Sequence, residues 1–109
     1  MHLYQFQEAS KRTLPDEGID DLTNYALGLI GESAEVTEHI KKWRFHKHDL
    51  NQKKVAEELG DVLHYLAGIC SMMELNLEEV AADNIKKLKE RYPEGFDKEK
   101  SRKRDDLNG

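Results

Sequence analysis

Apolar side chains recur at spacings of three and four residues along most of the chain, which is the pattern of amphipathic helices. Four helices are predicted, at about residues 2–13, 20–43, 51–73 and 76–91. Asp20 or Asp21 is expected to cap the second helix, and Asn51 the third. Only a short polar stretch joins these two helices, so they should pack antiparallel. We therefore predict an all-α fold, an antiparallel bundle of about four helices.

Two acidic pairs lie on the two central helices. Glu32 and Glu35 belong to the second helix, and Glu58 and Asp61 to the third. A spacing of three residues places both members of a pair on one helix face. In an antiparallel hairpin both pairs emerge on the same side, with their midpoints roughly 13–14 Å from the connecting turn along each helix. The four carboxylates are therefore expected to converge at one level.

Converging carboxylates repel one another, by ~3 kcal/mol for two groups ~5 Å apart at an effective dielectric constant of ~20. A divalent cation between them removes this cost, and a set of oxygen ligands favours Mg²⁺ or Mn²⁺ over zinc. One acidic pair alone is more often a solvated helix face. The hypothesis of a metal site therefore depends on the coincidence of two pairs.

The fourth predicted helix carries a row of polar residues that fits phosphate. Asn84, Lys87 and Arg91 follow one another at spacings of three and four, so they share one face. Cations near an acidic metal cluster are what a bridging phosphate chain needs. Lys54, one turn before Glu58, is a further candidate. Taken alone, such a row is more often a solvated helix surface.

Composition narrows the range of functions. The formal net charge of −5 argues against general nucleic-acid binding. Neither a membrane-spanning apolar run nor a signal peptide is visible. The single cysteine, Cys70, lies on an apolar stripe and permits no internal disulfide, which fits a reducing cytoplasm. We expect a cytoplasmic protein without nucleic-acid or membrane partners.

The central helices are apolar beyond one stripe, through residues such as Leu27 and Ile30 in the second and Ile69 and Met72 in the third. A second apolar face has to be covered, and a homodimer or homotetramer is the simple solution. We expect the helical domain to span residues 1–96 and a charged tail to follow at 97–109.

Three stretches of the sequence carry recognisable motifs. They read Gly-Leu-Ile-Gly-Glu-Ser-Ala-Glu-Val, Glu-Glu-Leu-Gly-Asp-Val-Leu-His-Tyr-Leu-Ala and Asn-Ile-Lys-Lys-Leu-Lys-Glu-Arg-Tyr-Pro-Glu-Gly-Phe. In their order and spacing they closely resemble the MazG-like nucleoside triphosphate pyrophosphohydrolases. That family's metal motif, Glu-x-x-Glu, a spacer and Glu-x-x-Asp, falls here on the two acidic pairs. The resemblance covers about residues 6–104, with one departure: His64 stands where some members have Trp.

The resemblance implies a helical bundle that assembles as dimers or tetramers. It also implies hydrolysis of (deoxy)nucleoside triphosphates to the monophosphate and pyrophosphate, with Mg²⁺ as cofactor and Mn²⁺ as a substitute, in the cleansing of nucleotide pools. On this interpretation the metal ligands are Glu32, Glu35, Glu58 and Asp61. Glu35 or Glu38 is the candidate to orient or deprotonate the attacking water, and the phosphate contacts are Lys54, Asn84, Lys87 and Arg91.

Two other interpretations remain. One is a phosphoribosyl-ATP pyrophosphohydrolase, although the Tyr-Pro-Glu-Gly-Phe ending fits the MazG-like branch better. The other is a helical assembly or regulatory module without catalysis. The complete set of four acids argues against this second alternative.

Overall fold

A computed structural model describes residues 1–15 and 18–95. Its regular elements are helices, with no strand in these residues: α1 Leu3–Ser10, a short 3-10 helix Lys11–Thr13, α2 Ile19–Phe45, α3 Gln52–Met72 and α4 Leu77–Arg91. The prediction of an all-α fold with about four helices is confirmed. The predicted charged tail, 97–109, lies outside the described residues, so the predicted domain boundary stays a prediction.

The chain forms two compact units, Met1–Leu77 and Glu78–Gly109. The first unit contains α1, the 3-10 helix, α2, α3 and the first residue of α4. The second unit, in its described part 78–95, contains the rest of α4 and the turn that follows it. None of the helices in the described residues is long and apolar enough to cross a membrane.

The helices α2 and α3 form an antiparallel hairpin whose register is set by two contacts between glycine and tyrosine. Gly28 lies against the ring of Tyr65, and Gly68 lies against the ring of Tyr25. The two rings meet edge to face, with centroids 5.2 Å apart and planes at 75°. Moving three residues back along α2, from Gly28 to Tyr25, therefore corresponds to moving three residues forward along α3, from Tyr65 to Gly68. This register confirms the antiparallel packing that the short connection predicts.

A small core joins α1 to the far end of the hairpin. Ala67, Cys70 and Leu77 are buried, and partly buried apolar side chains surround them: Leu3, Phe6, Leu63 and Leu66. Burial raises the pKa of the Cys70 thiol above its usual value, so the side chain stays neutral in this environment. The burial of Cys70 agrees with its position on an apolar stripe of the sequence.

The polar side chain of Gln7 is buried beside this core. Its Nε2 donates to Ser71 Oγ at 3.1 Å and to the Leu75 carbonyl at 2.9 Å, and its Oε1 accepts from the Leu77 amide at 2.8 Å. One side chain of α1 thus satisfies backbone groups in the turn between α3 and α4, where helical hydrogen bonds end.

Of the two predicted N-terminal caps, the one for α3 is confirmed and the one for α2 is not. Asn51 caps α3, because its Oδ1 accepts from the Lys54 amide at 3.1 Å. The prediction that Asp20 or Asp21 caps α2 is wrong, since Gly18 occupies that position. Both acids instead lie in the first turn of α2, where negative charge interacts favourably with the helix dipole.

Candidate functional site

Glu58 is a buried carboxylate on the face of α3 that packs against α2. Its side chain is 8% exposed, and Oε2 has no hydrogen-bond partner among residues 1–15 and 18–95. Buried carboxylate oxygens are costly unless hydrogen bonds or a positive charge compensate for lost hydration. The position of Glu58 therefore requires a compensating group.

Glu35 of α2 lies close to Glu58, and Glu32 lies close to Glu35. The pKa of Glu35 is raised above its usual value, first by a side-chain hydrogen bond with Glu58 and then by the negative charges of Glu32 and Glu58. The ammonium group of Lys54 acts in the opposite direction. The structure thus brings three of the predicted acids and one predicted phosphate contact into one cluster. The raised pKa of Glu35 thus reflects both its hydrogen bond with Glu58 and the negative charges around it.

The fourth predicted ligand, Asp61, is exposed and takes no part in the interactions that join the other three. The register of the hairpin nevertheless places it opposite Glu32. Gly28 of α2 lies opposite Tyr65 of α3, and Glu35 lies opposite Glu58. Counting the same number of residues along both helices from either pair leads to positions 32 and 61. Its role as a metal ligand stays a prediction.

His39 belongs to the same cluster and was missed in the sequence. Its Nε2 lies 3.0 Å from Glu58 Oε2, although the two groups are not aligned for a hydrogen bond. A signal was available, because His39 follows Glu35 by four residues and shares its helix face. His46 and His48 follow the end of α2 and are exposed.

The residues of this cluster fit a divalent cation. The partnerless oxygen of Glu58 and the mutual repulsion at Glu35 are both relieved by a positive ion, and carboxylate oxygens are ligands for hard cations. No three His, Cys, Asp or Glu side chains of the described residues are already arranged as a ligand set. The side chains of Glu35 and Asp61 are exposed.

The remaining predicted site residues are exposed or partly exposed. Glu38 is exposed on α2, one turn after Glu35. Lys54 Nζ lies 3.6 Å from Glu57 Oε2, and the two residues form an exposed ion pair between neighbouring turns of α3. Asn84, Lys87 and Arg91 belong to the second unit, where the helical backbone of α4 keeps them on one face. Their assignment as phosphate contacts is not tested by these positions.

A second polar feature of the first unit is an open cleft of about 510 Å³, where the end of α1 meets α3. It is lined by Ala9, Ser10, Arg12, Thr13 and His64. The His64 ring lies between two hydroxyls, with Nδ1 2.5 Å from Ser10 Oγ and Nε2 3.5 Å from Thr13 Oγ1. The residue that departs from the resemblance is therefore held in a network of its own.

Together these features define a helical protein whose central hairpin presents clustered carboxylates, one of them buried. The sequence model of the MazG nucleotide pyrophosphohydrolase domain matches residues 21–96, and the chain belongs to this family. The matched region contains both acidic pairs and the polar row of α4.

A similar protein is known from a virus. The chain is 29% identical over 101 residues to the Gene 37 protein of Mycobacterium phage L5, an alignment that covers 85% of this chain and 89% of the phage protein. The name of that relative does not describe an activity. No solved structure matches the chain.

Proposed function

We propose that this protein hydrolyses (deoxy)nucleoside triphosphates to the nucleoside monophosphate and pyrophosphate, and that it does so with Mg²⁺, for which Mn²⁺ can substitute. The observation that carries the proposal is the buried oxygen of Glu58, which accepts no hydrogen bond from the described residues, inside a cluster of carboxylates in a chain of the MazG family. The proposed role is the cleansing of nucleotide pools.

The metal ligands in this proposal are Glu32, Glu35, Glu58 and Asp61. The first three already lie in one cluster, and the hairpin register supports the fourth. A bound divalent ion would neutralise phosphate charge and lower the pKa of a coordinated water. The fixed helices supply the geometry: Glu58 is held by burial, whereas the exposed Glu35 adjusts to the ion and substrate.

Glu35 and Glu38 are the proposed residues that orient the attacking water or accept its proton. Glu35 is a candidate for this role because its exposed carboxylate belongs to the cluster that would hold the ion. Glu38 follows one turn later on α2 and is open to solvent, to which a proton can be passed. The reaction adds water at the α-phosphorus and releases pyrophosphate.

Cationic and amide side chains are proposed to bind the phosphate chain. Lys54 supports this part of the proposal because its charge already acts on Glu35. Asn84, Lys87 and Arg91 supply a donor row on one face of α4, suited to phosphate oxygens. Neutralising the leaving pyrophosphate stabilises the charge that develops there.

The test is product analysis with a panel of ribo- and deoxynucleoside triphosphates, with and without Mg²⁺, in water labelled with ¹⁸O. The expected products are the monophosphate and pyrophosphate, formed only with metal, with the label in the monophosphate. Release of orthophosphate would contradict the proposed reaction. Turnover of phosphoribosyl-ATP alone would favour the phosphoribosyl-ATP pyrophosphohydrolase alternative. Absence of both turnover and metal binding would favour a non-catalytic module.

We further propose that the protein works as a homodimer or homotetramer. Leu27 and Ile30 on α2 are 60% and 67% exposed, and Trp43 and Phe45 near the end of the same helix are also exposed. Apolar side chains clustered along one helix favour association. Sedimentation velocity should show a dimer or tetramer, and Ile30→Glu should shift it towards the monomer. A monomer at all concentrations would contradict this proposal.

A further inference from the structure

The pair formed by His39 and Glu58 has an unusual geometry. The imidazole Nε2 and the carboxylate Oε2 are 3.0 Å apart, which is a hydrogen-bonding distance. Oε2 nevertheless has no hydrogen-bond partner in the part of the chain that the structure describes, from which we infer that the ring nitrogen does not point at the oxygen. Two polar atoms thus lie side by side without bonding to each other, at a point where the oxygen is cut off from solvent.

This spacing is the one expected for two ligands of the same ion. Donor atoms ~2.1 Å from an octahedral cation, at a right angle to each other, are separated by ~3.0 Å. In that arrangement each donor faces the ion rather than its neighbour. The misalignment of the His39 ring with Glu58 Oε2 agrees with this arrangement, in which the two atoms face a common ion.

We propose that His39 is a nitrogen ligand of the cation site, adjacent to Glu58. The proposal rests on the cation site proposed above and adds a residue of a different chemical class to its oxygen donors. An imidazole ligand requires a neutral ring with its proton on Nδ1, which leaves the Nε2 lone pair for the ion. At 32% exposure, the His39 side chain is open enough to admit the ion from solvent.

A ligand role has a consequence for the choice of metal. Imidazole nitrogen binds transition-metal ions better than it binds Mg²⁺, which prefers oxygen. His39 should therefore raise the affinity for Mn²⁺ relative to Mg²⁺. A merely structural histidine, or one that only orients Glu58 through a hydrogen bond, would affect both ions to the same extent.

The experiment uses Mn²⁺ alone as the probe, without nucleotide. Pulsed electron paramagnetic resonance of Mn²⁺ bound to the intact protein should show the ¹⁴N coupling of a directly coordinated imidazole. The coupling should persist in His48→Gln, a control at an exposed histidine, and disappear in His39→Gln. Bound Mn²⁺ without nitrogen coupling in the unaltered protein would overturn the proposal, and this result does not depend on the folding of any variant.

Titration of the same signal, with Mg²⁺ as competitor, gives the relative affinities. His39→Gln should lower the Mn²⁺-to-Mg²⁺ affinity ratio several-fold, and an unchanged ratio would overturn the ligand role. Glu58→Gln separates this result from a failure of the site itself. If Glu58→Gln weakens Mn²⁺ binding but His39→Gln does not, the carboxylate site stands and the role of His39 fails. If neither variant changes binding, both fail.

Discussion

The ring of Tyr25 lies so close to Gly68 that a methyl group on this glycine would overlap it. One turn away, a second contact has the opposite arrangement: the glycine, Gly28, belongs to α2 and the tyrosine, Tyr65, to α3. Because each helix supplies one glycine and one tyrosine, the backbones approach closely at two neighbouring points. The hairpin register, and with it the position of Glu35 opposite Glu58, depends on these contacts.

Gly68→Ala should destabilise the protein by about 1–3 kcal/mol, because the added methyl group forces the buried Tyr25 ring or the helix to move. Thermal or urea unfolding followed by circular dichroism measures the change. Gly31→Ala is the matched control, since nothing lies within 4 Å of a Cβ there, and alanine should stabilise the helix by about 1 kcal/mol. Equal effects of the two substitutions would show that Tyr25 does not hold the register.

Glu58→Gln should abolish nucleotide hydrolysis and carboxylate-dependent metal binding while leaving the helix content unchanged. The reason is that the substitution removes the charge of the buried carboxylate and little else. Its neighbour Glu57 is exposed, so Glu57→Gln on the same helix should retain activity. Activity assays, metal titration and circular dichroism check these outcomes. Unfolding of Glu58→Gln would instead indicate a structural role.

Asp61→Asn should also abolish hydrolysis without loss of helix content. Asp61 is exposed and removed from the other acids' mutual contacts, so the substitution should leave the stability of the metal-free protein unchanged. Comparison of unfolding curves with turnover distinguishes the two effects. Full activity of this variant would remove Asp61 from the proposed ligand set.

The metal-free protein should lose stability as the pH rises above about 4.5, the ordinary pKa of glutamate, because of Glu35. A raised pKa means that the native state binds more protons than the unfolded state between the two pKa values, so stability falls with rising pH. Glu35→Gln should show a smaller decrease. Melting temperatures measured from pH 4 to 7 in chelator test this expectation, with Glu38→Gln as the control for loss of an acid.

Gln7→Ala should destabilise the first unit by about 2–4 kcal/mol, because it leaves the Leu77 amide and the Leu75 carbonyl without their partner. Gln52→Ala, at the exposed start of α3, should change stability by less than about 0.5 kcal/mol. Urea unfolding of both variants provides the comparison. A tolerated Gln7→Ala would mean that water replaces these hydrogen bonds.

The sequence predicted the helices and their antiparallel order because both follow from the period of apolar residues and the length of one connection. The equal distance of the acidic pairs from the turn also follows from helix geometry, and it agrees with the contact between Glu35 and Glu58. These features depend on spacing along the chain, which a sequence displays directly.

Other features depend on which side chains meet across the hairpin. Glutamine is a polar residue of the kind usually found at the surface. Gln7 is buried because the turn between α3 and α4 packs against it and supplies its hydrogen-bond partners. His39 is a single histidine in a polar part of α2, so its distance from Glu58 follows only once the register is known. The two glycines could be noted in the sequence, but the tyrosine opposite each one could not be assigned.

The contacts between glycine and tyrosine divide the hairpin into two mechanically different halves. Towards the start of α2, close backbone approach leaves little freedom for either helix to slide. Towards the turn, exposed acids surround one buried carboxylate, Glu58. In the proposed ion site, these exposed side chains would close around the ion and open again while the helices stay in register, so binding and release would require no movement of the helices.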